Sequence, residues 1–482
     1  MLRRDFISLV ATAISSPCSA NAITSRSEEF DLIVVGSGAA GLSAAISASD
    51  AGLKNILILE KLPIIGGTSA NSGGAVAVSG TKMQKKFGIY DSDKQFFEDL
   101  MREGGYLNNP LLVRTYIEEI RKQYEWMSSC GVSPSTLMAA AGMSTPRSHM
   151  FNSHQLMRFF LEETTKRGIL IKAGTRAVDL LVQNGCIRGV STVKGKRNRI
   201  LTSRHGVVLA TGGFARNQAL MNIFAPQMFG VDVVSGIGSD GDGHLMALGL
   251  GGCFVPEETV TASFGFAQKP SRVKDFSTIF YSGAIILNRS GERFVDESLP
   301  YKSLGEAFLR TKESCAYIVF DENIRKLQMS RRPVDQAMWS PYDKGLEPSY
   351  CHRGKTIKEA ADKAGLNPMK VVAQVEKYNS YVVKGEDPDF GRKSLSSGYG
   401  KPLPICIAPF YIMPAIAVVP GTYCGIKIDE KARVVKSDGE PIKGLYAAGE
   451  IIGGFHGKNF VTGTGLGKAL AFGRVAGRTA AL

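Results

Sequence analysis

No C-x-x-C and no C-x-x-C-H occurs in the 482 residues, and the eight cysteines (Cys18, Cys130, Cys186, Cys253, Cys315, Cys351, Cys406, Cys424) are scattered. That spacing speaks against an internal c-type haem, a zinc site or a cysteine-held iron–sulfur cluster, and it predicts no disulfide pairing. The six histidines are dispersed and none forms a metal pair, so no metal is expected. A long Lys/Arg run is missing too, so the formal charge of +14 marks no nucleic-acid site. The charge implies solubility and nonspecific attraction to anionic surfaces, or docking to an acidic redox partner. Repeats and low-complexity segments are absent. Past the N-terminus no apolar run approaches the length of a transmembrane span, so stable membrane insertion is not expected.

What the chain has in plenty is glycine, 54 residues, beside an apolar content of 44%. Too long for one ordinary core, it reads as a two-domain α/β protein with many tight turns. Its first residues, MLRRDFISLVATAISSPCSANA, set Arg3 and Arg4 before an apolar run and a small-residue site, Ala20-Asn21-Ala22. That order predicts an export signal over residues 1–22 and hence a periplasmic location. RRDFI resembles the twin-arginine export motif, a route for folded proteins, so a cofactor would be inserted before export.

Residues 30–60, FDLIVVGSGAAGLSAAISASDAGLKNILILE, run from a buried strand through Gly36-Ser37-Gly38-Ala39-Ala40-Gly41 into an Ala/Ser-rich helix and a second apolar strand ending at Glu60. This is the pattern of a dinucleotide-binding βαβ unit. The glycines permit a tight turn and close backbone approach, and the helix N-terminus faces a pyrophosphate. Glu60, with Lys61 after it, stands where an acid accepts hydrogen bonds from a ribose.

The segments beyond Glu60 favour FAD over NAD. Gly66-Gly67-Thr68-Ser69 and Asn71-Ser72-Gly73-Gly74 make a flexible, hydroxyl-rich loop directly after the Glu60 strand. Downstream, Val207-Val208-Leu209-Ala210-Thr211-Gly212-Gly213-Phe214 and Gly444-Leu445-Tyr446-Ala447-Ala448-Gly449-Glu450 are each a strand running into a Gly turn. Together the motifs resemble the flavoprotein superfamily that contains soluble fumarate reductases and 3-ketosteroid dehydrogenases, over nearly the whole mature chain.

That resemblance implies an α/β fold: a Rossmann-like FAD-binding domain split in sequence (28–247 and 401–482) with an inserted α+β capping domain (248–400). By motif, Gly36, Gly38 and Gly41 would meet the pyrophosphate, Glu60 the adenosine ribose and Glu450 the ribityl chain. Thr462-Gly463-Thr464-Gly465-Leu466-Gly467, opening the last helix, would aim N–H groups at the flavin pyrimidine and stabilise negative charge there. Asp242, in the Gly turn GSDGDGHLMA (238–247), joins the expected cofactor site. Members with covalent flavin carry a histidine in the loop after the ribose acid. Here that loop offers Thr68 and Ser69, so the FAD is expected to be noncovalent.

Elsewhere the periodicity predicts helices within 90–170 and strands within 168–211, with the basic stretch KGKRNR (194–199) at a hairpin tip. The Gly/Ser-rich SLSSGYGKP (394–402) suits a hinge or linker.

Fumarate reductases of this superfamily grip two carboxylates with cationic side chains, and an arginine delivers the proton. Laid on GAIILNRSGERFVDESLPYKS, that arginine coincides with Tyr301. The other clamp positions fall on Phe276, Ser277, Phe280, the Thr422-Tyr423 region and Phe460. A dianion buried among such residues would lose water without gaining partners, so fumarate is disfavoured. Arg293-Phe294-Val295-Asp296-Glu297-Ser298-Leu299-Pro300-Tyr301 is more similar to the ketosteroid dehydrogenases, in which a tyrosine handles the proton at one carbon while flavin N5 exchanges hydride at its neighbour. A phenol is neutral at neutral pH, can donate a proton and tolerates an apolar wall. The second phenol of that family is replaced by Asn459-Phe460-Val461, leaving Tyr423 or backbone N–H groups near Gly463 and Gly465 to polarise a carbonyl.

The expectation is therefore an exported FAD oxidoreductase that reduces a C=C bond conjugated to a carbonyl or aromatic system, in a neutral or aromatic substrate. Tyr301 and Tyr423 are its catalytic candidates. Phe276, Phe280, Tyr281, His456, Phe460 and Gly463 are the candidate substrate contacts. An external carrier, a c-type cytochrome or quinol-linked protein, would supply electrons. Ketosteroid-type desaturation and a flavin electron-transfer subunit are the alternatives, the second disfavoured by the cap-length insertion.

Overall fold

The strand Leu32–Val35 is buried along its whole length and apolar at every position, as expected of a strand covered on both faces. It pairs in parallel with Ile56–Leu59 on one side and Val207–Leu209 on the other. These form the centre of a six-stranded sheet completed by Leu170–Lys172 at one edge and Pro441–Ala447 then Arg433–Val435 at the other, the last pairing antiparallel. The computed structural model describes residues 28–482 apart from 141, 256–259, 269–274, 333–334 and 397. The expected export signal, 1–22, lies outside the described residues.

The helix Ala39–Asp50 packs against the last helix, Thr464–Ala480. Small residues make the approach possible: a Cβ on Gly473 would lie 2.4 Å from the Ala40 carbonyl oxygen, and one on Gly477 would lie 2.0 Å from that of Ala44. Ser43 and Ser47 donate across the same seam to the Leu470 and Arg474 carbonyls, each at 2.8 Å. The Ala/Ser richness seen in the sequence is thus the condition for backbone-to-backbone packing, which brings two helix N-termini to one place.

Two buried clusters organise the rest. One holds Phe30 to Ala210 with Met246, Ala247 and the C-terminal segment from Ile426 onward, and the other draws the rest of its residues from Phe214 to Cys424. The second surrounds an antiparallel sheet in the order Ser263–Ala267, Phe410–Val418, Ala316–Asp321, Ile285–Leu287. Phe410–Val418 lies past residue 400, yet its hydrogen bonds tie it to this cap sheet. Helices Asp93–Glu103, Pro110–Ser129 and Ser153–Lys166 occupy the segment read as helical. KGKRNR sits at a hairpin tip, with Arg197 opposite Lys194. In the stretch 394–402, Ser394, Leu395 and Ser396 are buried and Arg392 donates to the Ser394 carbonyl at 3.3 Å, while residues 398–401 are exposed. Among the described residues no helix is long and apolar enough to cross a membrane.

Candidate active site

A cavity of about 730 Å³ opens where the two clusters meet. Gly36, Gly38, Ala39 and Ala40 line it at the start of the first helix. Gly36 has φ +111°, and a Cβ there would come within 2.2 Å of the Ala210 carbonyl oxygen, so only glycine fits. Gly41 does not line the cavity. A Cβ on it would stand 1.9 Å from the Gly36 carbonyl oxygen, so its part is to let the helix fold onto the loop.

Glu60 accepts from Ser37 Oγ at 2.6 Å, Ser37 N at 3.2 Å and Leu62 N at 2.9 Å. A carboxylate has about four acceptor sites, which leaves room for a ribose hydroxyl. Gly67, Thr68, Ser69, Ser72, Gly73 and Gly74 line the same end. The Ser69 hydroxyl accepts from Ala39 N at 3.1 Å, and the Thr68 hydroxyl from Gly236 N at 3.1 Å. Lys61 pairs with Asp240 and, at 3.2 Å, with Asp242, which Arg176 also grips through Nε at 2.9 Å.

At the other end Ala210, Thr211 and Gly212 leave the strand Val207–Leu209 and enter the cavity. Thr211 Oγ1 is buried with no hydrogen-bond partner among the described residues. Gly449 and Glu450 lie nearby, Glu450 Oε1 accepting from Thr422 N at 2.8 Å, and burial pushes its carboxyl up. Gly463, at φ +91°, precedes the last helix, and Gly465 and Leu466 stand in its first turn. Apart from its chain neighbours and the helix's own backbone, no atom lies within 4 Å of a Cβ built on Gly465, so this helix start faces open space. One helix N-terminus beside the Glu60 carboxylate and a second facing the same cavity suit a flavin dinucleotide, the first at its pyrophosphate and the second at its pyrimidine. The orphaned Thr211 hydroxyl and the two glycine-only approaches are observations of this chain that fit FAD.

The substrate end is aromatic. Tyr301, first residue of the helix Tyr301–Thr311, is buried with its ring edge-on to Phe276 at 5.3 Å and to Phe460 at 5.8 Å between centroids. Burial pushes its phenol up, opposed by the Thr462 hydroxyl and the Arg332 guanidinium, so the proton stays on at neutral pH. Tyr423 contacts Phe460 (5.4 Å) and His456 (5.2 Å) and is also held neutral by burial. Burial holds His456 well below the usual imidazole range, so it is uncharged. Tyr281 lines the cavity but gives its hydroxyl to the Leu299 carbonyl at 2.8 Å.

Behind Tyr301 a buried ion network fixes the loop that delivers it. Arg293 donates to Glu297 from Nε at 2.8 Å and Nη2 at 2.7 Å, and to Asp387 at 2.9 Å. Arg392 reaches Glu297 at 3.3 Å and the Phe280 carbonyl at 2.8 Å. This explains the acids and the arginine of GERFVDESLPYKSL: they anchor the chain, and the tyrosine after them faces the cavity.

Two expectations need correction. Phe280 does not reach the cavity; its backbone is tied to Arg392 and its ring packs against Phe264 and Tyr281 in the cap core. Nor is the substrate end without cations. Arg332 lines the cavity, and the Lys302 ammonium lies 3.0 Å from the Tyr423 ring centroid and 3.9 Å from that of Phe460. Arg332 was missed because it lies outside the motif that pointed to Tyr301, and Lys302, inside that motif, because sequence alone does not show which way its side chain turns. Lys468, on the last helix, also lines the cavity and donates to the Ile452 carbonyl at 3.0 Å.

Residues 31–466 match the family model described as FAD binding domain. The chain is 31% identical over 462 residues to NADH:fumarate oxidoreductase of Klebsiella pneumoniae, covering 94% of this chain but 48% of that protein. It is 32% identical over 465 residues to fumarate reductase (cytochrome) of Shewanella frigidimarina, covering 94% and 77%. Urocanate reductase of Eggerthella lenta matches at 29% over 479 residues, covering 94% and 75%. Among solved structures, an open flavocytochrome c3 fumarate reductase superposes with TM-score 0.77 at 28% identity, covering 99% of this chain and 80% of that one. The 3-ketosteroid-Δ4-(5α)-dehydrogenase of Rhodococcus jostii superposes with TM-score 0.74 at 25%, covering 96% and 99%. The chain belongs to the FAD binding domain family and is an FAD-dependent oxidoreductase of the superfamily that contains soluble fumarate reductases and 3-ketosteroid dehydrogenases.

Proposed function

We propose that the protein reduces a C=C bond conjugated to a carbonyl or carboxyl group, of enone or aryl-acrylate type, with Tyr301 as proton donor. The observation that carries this reading is the buried, protonated phenol held at the cavity wall between Phe276 and Phe460. When bound, FAD supplies the hydride, from N5. The protein's own part is to stack a flat substrate among aromatic rings, exclude water, and place the Tyr301 hydroxyl at the carbon next to the one that takes the hydride. There the phenolic O–H bond breaks, a C–H bond forms, and a solvent proton restores the phenol. Tyr423 is assigned to polarising the substrate's oxygen.

Relatives named for urocanate and fumarate reduction support a reductive direction. The experiment is anaerobic reoxidation of the reduced holoprotein by a panel of enones, aryl acrylates and fumarate. Reoxidation by the first two classes is expected, and reoxidation by fumarate alone would overturn the reading. Ketosteroid-type desaturation is the second reading, favoured by the aromatic wall and the likeness to the Rhodococcus enzyme. Oxidation of a 3-ketosteroid with reduction of a dye acceptor would establish it.

We also propose noncovalent FAD, export by the twin-arginine route, and an external cytochrome or quinol-linked donor. Arg3→Lys together with Arg4→Lys should leave the precursor in the cytoplasm; normal periplasmic accumulation would refute that route. Reduction of the holoprotein by a c-type cytochrome or a quinol-linked donor would support the external carrier, and failure with both would exclude it.

A further inference from the structure

We infer that Arg332 is the anchor for a single substrate carboxylate, which makes the substrate a 2-enoate with a flat apolar or aryl body; this rests on the reductive reading above. Arg332 closes the helix Glu322–Arg331 and reaches the cavity with its side chain only 11% exposed. A guanidinium has five N–H donors in a fixed fork. Among the described residues its side chain finds only distant partners: Thr278 Oγ1 at 3.4 Å and Asp335 Oδ1 at 3.4 Å. Asp335 does not saturate it, because the other carboxylate oxygen is taken by Ser277 Oγ at 2.9 Å and Gln328 Nε2 at 2.6 Å. Asp335 thus orients the arginine while leaving most of its donor capacity for something else.

The direction of the fork says where that partner lies. The guanidinium carbon sits 5.1 Å from the centroid of Phe276, the ring that meets Tyr301 edge-on. Nη2 points past it to Gly73, where a Cβ would stand 3.6 Å away, so the fork spans from the cap to the cofactor-binding loop. The other cations lining the cavity are engaged, Lys61 and Arg176 with Asp240 and Asp242 and Lys468 with the Ile452 carbonyl, and Lys302 is held against the Tyr423 and Phe460 rings outside the cavity lining. One guanidinium beside an aromatic wall matches one carboxylate conjugated to an apolar body, and does not match a dicarboxylate. As hydride adds at the carbon distal to the carboxylate, negative charge moves onto the carboxylate oxygens that the fork would hold, and Tyr301 protonates the carbon between them.

The test compares wild type, Arg332→Lys and Arg332→Met as FAD-loaded proteins, with reduced methyl viologen as donor. The substrates are a 3-aryl acrylate, its uncharged methyl ketone analogue, and fumarate. Wild type should prefer the aryl acrylate. Arg332→Met should lower kcat/KM for it by roughly 10- to 150-fold, the loss of a charge-assisted hydrogen-bonding partner, leave the ketone nearly unchanged, and gain nothing on fumarate. Arg332→Lys should fall between. Binding of the saturated 3-aryl propanoate, read from flavin absorbance of the oxidised protein, should weaken in the same order without any turnover. Equal losses on acrylate and ketone, or unchanged propanoate binding in Arg332→Met, would overturn the anchor while leaving the reductive reading intact. Wild type that reduces neither aryl acrylate nor ketone would overturn both.

Discussion

Tyr301 and Glu60 show how much one side chain can reveal before any fold is known. The glycine turn, the strand that ends at residue 59 and the acid right after it were legible because the spacing of a βαβ unit is set by backbone geometry. We predict that Glu60→Ala lowers FAD content, through ribose hydrogen bonds worth about 0.5–3 kcal/mol each and through release of Ser37, whose hydroxyl it holds. Flavin quantified after acid precipitation checks this, and in wild type it should appear wholly in the supernatant. Arg332 was not legible. It comes from a segment with no motif, and only its placement against Phe276 and Gly73 marks it.

At the scale of an element, the loop before the helix Tyr301–Thr311 is held by charges distant in sequence. Arg293 and Asp387 are 94 residues apart, as Arg392 and Glu297 are 95 apart, and all four are buried. No local pattern pairs them, so the sequence showed Arg293 and Glu297 only as company for the tyrosine. Glu297→Gln should leave Arg293 with Asp387 alone and the buried Arg392 guanidinium without its carboxylate partner, and destabilise the fold by about 3–5 kcal/mol, seen as a lower urea midpoint. Turnover should fall with it, because the first residue of the helix would no longer be fixed. An unchanged midpoint would mean that the network does not position Tyr301.

Over the whole molecule, the βαβ unit and the hairpin followed from apolar runs and glycine turns, and the split flavin domain with its terminal helix from the resemblance. The extent of the cap sheet did not, since Phe410–Val418 reads as a buried strand whichever sheet it joins. Three buried histidines tie stability to pH. Burial holds His149 down at about 4, His244 down at about 3 and His456 well below its ordinary value. The unfolded chain takes up these protons first, so stability is complete above about pH 6.5 and is lost as pH falls toward the folded values, by up to about 1.4 kcal/mol per pH unit for each histidine. Burial pushes the Asp335 and Glu450 carboxyls up, which acts in the opposite sense. The histidine contribution is therefore read as a difference: between pH 6.5 and 4 the stability of His149→Gln should fall less steeply than that of wild type. Parallel slopes would contradict it.

The central claim, that a buried phenol protonates the substrate, is tested most directly by Tyr301→Phe in a single-turnover experiment. The variant should bind FAD and be reduced by an artificial donor as wild type is, with a closely similar melting temperature, because one hydroxyl is removed from a packed ring. When the reduced protein is mixed anaerobically with an aryl acrylate, reoxidation should slow by about 10²–10⁴-fold, the loss expected for a general acid. Reoxidation at the wild-type rate would contradict the account and move the proton to another group, with Tyr423 the next to examine.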